Sequence, residues 1–147
     1  VVALDGQVLL DTLIRPVRSI PAEATEIHRI DDDQVKDAPA FSDIYPRLVD
    51  LLAGKTVIVY NADYDREILR FTARRHGCQA IEATWACAMK AYAAYVGEWS
   101  DYWGSFRYQK LQGDHSAAGD CLAALDLVRS MANARTSGKQ TNDRISS

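Results

Sequence analysis

Two aspartates and a histidine stand where side chains could do chemistry. Asp65 lies in Tyr60-Asn61-Ala62-Asp63-Tyr64-Asp65-Arg66-Glu67-Ile68-Leu69, where an apolar strand gives way to a helix. Asp120 closes His115-Ser116-Ala117-Ala118-Gly119-Asp120, at the margin of a core-facing helical stripe. Acids in such half-sunk positions are rarely left unpartnered, because burying a lone carboxylate is costly. A shared cation would satisfy both. Hard divalent ions take oxygen ligands, and two of them about 4 Å apart can stabilise the attacking and leaving oxygens of a phosphodiester displacement. An imidazole such as His115, at or just ahead of a helix's first turn, could take the proton of an attacking water near neutral pH. Singly, each residue has a plainer use as a helix cap, ion-pair partner or surface group. The conjunction favours the chemical reading.

The elements that must position these residues follow from periodicity and punctuation. Val1 to Leu4, Asp5-Gly6-Gln7 and Val8 to Ile14 read as strand, tight turn and strand, since Asp-Gly supplies the positive φ of a short hairpin loop. From Arg15-Pro16 through Val35 a loop with one helical turn is expected, and Asp31 reads as a cap with Asp32 and Asp33 in its first turn. Phe41, Ile44, Leu48, Leu51 and Leu52 recur at helical spacing ahead of Gly54. Pro46 comes early enough in that helix to be tolerated. Lys55 to Tyr60 is a short, apolar, β-branched run, the pattern of a strand covered on both faces.

Helix is expected from Asp65 to about Arg75, with Ile68, Phe71 and Thr72 inward and Arg66, Arg70 and Arg74 opposite. At about 100° per residue Asp65 then falls on the border of the inner face. The arginine row is read as a solvated face in preference to a phosphate track. Ile81 to Trp85 suggests a short strand, Ala86 to Tyr95 a helix, and Gly97 to Gly113 a long loop or broken helix. In that last stretch Trp99, Tyr102, Trp103, Phe106 and Tyr108 interleave with Arg107 and Lys110. Base stacking with phosphate pairing and a lid packed on the core are both open. Ser116 to Ala132 reads as a strong helix whose stripe of Ala117, Cys121, Ala124, Leu125, Val128 and Met131 faces the core. The domain is expected to span 1–132, with 133–147 a polar tail, frayed or disordered.

A chain of 147 residues with 48% hydrophobic and 25% charged residues is long enough for one domain with a real core. Its net charge of −3 argues against a broad basic surface gripping duplex DNA by counterion release. Three cysteines without a C-x-x-C pair suggest neither a disulfide framework nor a zinc ribbon, and a reducing cytoplasm is expected. No run approaches the roughly 20 apolar residues of a membrane span, so no membrane partner is expected.

The Asn61-to-Leu69 stretch and the His115-to-Asp120 stretch resemble the second and third motifs of the DEDDh 3′-5′ exonuclease family, which includes proteins like the proofreading epsilon subunit of bacterial DNA polymerase III. The resemblance covers most of the chain. It implies an α/β fold of the ribonuclease H-like type, a mixed sheet flanked by helices. It implies Asp65 and Asp120 as metal ligands, His115 as general base, and Mg²⁺ or Mn²⁺ as cofactor, two ions in a complete site. Asn61 and Tyr64 match positions that shape the junction and the substrate cleft. Ile27-His28-Arg29-Ile30 resembles a His-Gly-Ile segment bordering the terminal nucleotide, with Arg29 in place of the Gly, and so His28 is a third candidate for substrate binding. The implied partners are single-stranded or 3′-terminal nucleic acid, DNA or RNA, and a polymerase complex.

One departure bears on activity. The family's first motif, Asp-x-Glu on the opening strand, does not occur ahead of Val1-Val2-Ala3-Leu4, and the chain reads as one entered partway through. The resemblance puts the missing first strand in the centre of the sheet, between the hairpin and the Val57 to Tyr60 strand. Its absence is expected to remove catalysis and leave strand edges unpaired. Asp5 and Asp11 are expected to be poorly placed as substitutes. The readings carried forward are a metal-dependent exonuclease, a catalytically inactive nucleic-acid-binding or interaction remnant of the same fold, and a polymerase-associated part of a larger complex.

Overall fold

The computed structural model describes residues 1–113 and 116–142. Three helices precede the first strand: α1, Ala22–His28; α2, Asp32–Val35; and α3, Phe41–Leu52. Then come β1, Thr56–Val59; α4, Ala62–Arg75; β2, Thr84–Cys87; α5, Ala88–Val96; β3, Trp99–Ser100; β4, Ser105–Phe106; and α6, Ala117–Asn142. β1 and β2 pair in parallel, from Thr56 with Thr84 to Val59 with Cys87, and α4 is the crossover that a parallel pair requires. The α/β class expected from the sequence is the class observed.

Local signals account for much of this. Asp31 begins α2 with a capping box: its Oδ1 accepts the Gln34 N–H at 2.9 Å, and Gln34 Oε1 accepts the Asp31 N–H at 2.9 Å. α3 runs over the expected stripe and accommodates Pro46, and Gly54 follows at φ 69. Phe41, Leu48 and Leu52 of α3 form the centre of the core with Ala73 of α4; Leu69, Val57 and the hairpin residues Val1 and Leu10 pack around them. Cys121, Leu125, Val128 and Met131 of α6 are half-buried and Ala124 is buried, as the stripe predicts, but Ala117 is exposed.

Other expectations are corrected. The N-terminal hairpin reduces to one antiparallel bridge, Val2 with Val8. Among the described residues β1 and β2 each have a single strand neighbour, so no strand links β1 to the hairpin. β1 is not covered on both faces either, since Ile58 is 40% exposed. A two-turn helix, α1, stands where a loop with one turn is expected, and Arg29 ends it at φ 58 with its N–H bonded to the Thr25 carbonyl at 2.8 Å. α4 starts three residues earlier than read and turns a different face inward. Its small Ala62 and Ala73 are buried, while Ile68 and Phe71 are exposed, Phe71 lying under the Arg75 guanidinium at 5.5 Å. β2 and α5 begin later than expected. The aromatic stretch forms the β3–β4 hairpin, with Trp99 opposite Phe106. Backbone helix runs on to Asn142, and the rest of the 133–147 tail lies outside the described residues. No helix among the described residues is long and apolar enough to cross a membrane.

Candidate active site

Asp65 is held by the turn that opens α4. Asn61 stands two residues past β1 as the N-cap of α4, at φ −120, and its carbonyl accepts the Asp65 N–H at 3.0 Å. This puts Asp65 one helical turn past the junction, with Ile68, Leu69 and Thr72 on the same face. These four line a cleft of about 320 Å³ together with Val1 and Leu10 of the hairpin, Phe41 and Ile44 of α3, and Ala117, Ala118 and Cys121 of α6. Although much of Asp65 is open to solvent, the surrounding chain takes water from its carboxyl and pushes it above its ordinary value; the hydrogen bond with the Asn61 backbone acts in the opposite direction.

α6 begins against this cleft because Ser116 caps it. Ser116 Oγ accepts the Gly119 N–H at 3.0 Å and the Ser116 carbonyl accepts the Asp120 N–H at 2.9 Å. Asp120 itself is turned toward Gly113. A Cβ at Gly113 would sit on Asp120 Oδ1 and 2.9 Å from its Cγ. His115, with Asp114, lies outside the described residues.

A second cleft of about 690 Å³ adjoins the first and shares Asp11, Thr12, Ala117 and Ala118 with it. Ile27 to Ile30 form its other wall, which brings His28 beside the start of α6. His28 Nδ1 accepts the Ile30 N–H at 3.1 Å, so the neutral ring carries its proton on Nε2. Tyr64 points outward and lines neither cleft. Asp63, read as a solvated loop residue, belongs to the first turn of α4 and pairs with Lys90 Nζ at 2.6 Å. Hydrogen bonding and charge from Lys90 hold the Asp63 carboxyl below its ordinary value.

Three contributors were not read from the sequence. Asp11, set aside as badly placed, lines both clefts. Gly113 lies against the Asp120 carboxylate; its position directly ahead of the Asp-His pair was the available signal. Tyr60 donates its phenol hydrogen to the Gln109 carbonyl, fastening the end of β1 to the segment leading into α6. Among the described residues no three acidic, histidine or cysteine side chains stand close enough together to hold a metal ion.

The sequence profile of the RNase_T exonuclease family matches residues 3–128. The chain belongs to this exonuclease family. Among its relatives is an uncharacterised exonuclease of Escherichia phage 186, 34% identical over 145 residues that cover 86% of this chain and 74% of the phage protein. Exodeoxyribonuclease 10 of Escherichia coli K12 is 29% identical over 89 residues, 59% of this chain and 35% of that one. The DNA polymerase III epsilon subunit of Buchnera aphidicola is 37% identical over 54 residues, 37% of this chain and 23% of its own. Of solved structures, Exonuclease X in complex with 5′ overhanging duplex DNA superposes with a TM-score of 0.57 at 24% identity, over 83% of this chain and 71% of that one. That likeness gives the fold, the ribonuclease H-like arrangement expected from the motifs.

Proposed function

We propose that this exonuclease-family chain carries the Asp65 and Asp120 half of a DEDDh-type site that removes nucleotides from the 3′ end of DNA or RNA. The observation that carries the reading is the meeting of α4 and the start of α6 on one cleft, with Asp65 on one wall and the Ala117–Ala118 turn on the other. Asp65 and Asp120, joined by an Asp-x-Glu pair from a preceding segment, would hold Mg²⁺ or Mn²⁺, which when bound supplies charge for the phosphodiester oxygens. His115 is the proposed base for the attacking water. Asn61, Tyr64 and His28 are the proposed substrate contacts, of which His28 lines the adjoining cleft. A polymerase partner is proposed on the likeness to epsilon subunits, and a cytoplasmic setting on the three free thiols.

The test is nucleotide release from single-stranded DNA with Mg²⁺, using a chain extended at its N-terminus to include an Asp-x-Glu strand. His115→Ala is expected to slow release by about 10²–10⁴-fold. Equal rates overturn the assigned base. No release by the extended parent with either ion overturns the enzyme reading in favour of a binding remnant.

A further inference from the structure

We propose that the β3–β4 hairpin is a base-stacking arm for single-stranded nucleic acid, mounted on the segment that leads into the candidate active site. The inference rests on the nuclease reading above. The arm has a built base. Trp99 and Phe106 meet edge to face across the two strands, 5.3 Å between centroids at 86°, and Ser100 between them and the turn is buried. Gly104, at φ 59, closes the turn with its N–H on the Ser100 carbonyl at 2.9 Å. At the tip Tyr102 is 85% exposed and Trp103 74% exposed. Those exposures exclude a lid packed on the core.

The tip rings lie edge to face, 4.8 Å apart at 88°, so each pairs through only part of its surface and flat faces are left for a planar base. Arg107 and Lys110 follow on the same segment, and neither is ion-paired to a described residue. Rings that can stack on bases next to cations that can meet phosphates fit a polynucleotide strand. A purely apolar partner would leave the cations unused.

Continuity with the site makes the strand the favoured occupant. The Gln109 carbonyl is fastened by the Tyr60 hydroxyl at the end of β1, and Gly113 lies against the Asp120 carboxylate. The stem is therefore held at the end of β1 and at α6 while the tip projects. With a net charge of −3 the chain has little general attraction for phosphates. Stacking supplies the hold that charge does not.

Binding of a fluorescein-labelled single-stranded DNA oligonucleotide is measured by anisotropy in EDTA, with nucleotide release by the extended chain followed in parallel. Tyr102→Ala with Trp103→Ala is expected to weaken binding about tenfold or more, and Trp103→Phe to stay within about twofold, because any aromatic face can stack. Tryptophan emission should fall on saturation with oligonucleotide, and fall less in Trp103→Phe. Equal affinity of the double variant and the parent overturns the arm, and leaves the nuclease reading standing if release persists. Arm-dependent binding without release supports the arm and removes the nuclease reading. Unchanged binding with altered sedimentation of the double variant overturns the arm in favour of a protein contact.

Discussion

Asp65 holds its proton more tightly in the folded chain than in water, because the walls of the cleft desolvate it more than the Asn61 backbone compensates. A raised value means that the folded state binds the proton better than the unfolded one. Its contribution to stability is present below the ordinary value of 3.8 and is lost as pH rises through the folded one. At neutral pH the charged carboxylate therefore works against the fold. Asp120 has a different constraint, since Gly113 leaves room for its carboxylate only by lacking a Cβ. Gly113 is not among the glycines with positive φ, so alanine there meets no backbone strain. Gly113→Ala should swing the Asp120 side chain aside, lowering nucleotide release by the extended chain about tenfold or more while the melting temperature moves by only a few degrees. Release at the parent's rate would show that the aim of Asp120 does not depend on this contact.

Between elements, the end of β1 is a junction of several fastenings. The Tyr60 carbonyl accepts the Met89 N–H at 2.9 Å and the Cys87 thiol at 3.3 Å, tying β1 to the start of α5. Its phenol reaches the other way, to Gln109, and burial raises that hydroxyl above its ordinary value, keeping it a neutral donor. The exposed Asp63–Lys90 pair also joins α4 to α5, but exposed pairs contribute little. Tyr60→Phe should therefore lower stability by about 0.5–1.5 kcal/mol. Hydrogen exchange should quicken over 105–113 in particular, since the stem loses its hold on β1. Exchange that changes evenly along the chain would contradict this local role.

For the whole molecule, the core is small and lies under the cleft instead of filling it. Phe41 is its largest member, buried at 3% exposure, with its ring 6.1 Å from that of Tyr45 and 5.4 Å from that of His76. Leu48 and Leu52 pack in the same cluster, and Phe41 and Leu48 also line the open, largely apolar cleft. Phe41→Ala should cost about 3–5 kcal/mol, a large share of the stability of a domain this size, measured by urea unfolding. A loss below about 1 kcal/mol would mean that the cleft walls collapse to refill the space. The Arg129 guanidinium, bonded to the Leu4 carbonyl at 2.6 Å, binds α6 to the hairpin.

Short-range rules were legible in the chain itself: the cap at Asp31, the stripe of α3, the strand at Thr56–Val59 and the core stripe of α6 all depend on neighbours a turn away. The same reading placed Asp65 and Asp120 on the two helices that border one cleft, because their motifs are contiguous. Which face of each element is covered was decided across distances that periodicity does not carry. Ile58, Ile68 and Phe71 have the hydrophobicity of core residues, yet no element among the described residues covers them, whereas Ala73 is buried because its small size lets α4 close on the core. Asp11 and His28 reach the start of α6 only through the path of the chain between them. The aromatic run could have packed inward or projected; the antiparallel register of Trp99 with Phe106 turned Tyr102 and Trp103 out to solvent, since a short turn leaves its tip beyond the reach of the core.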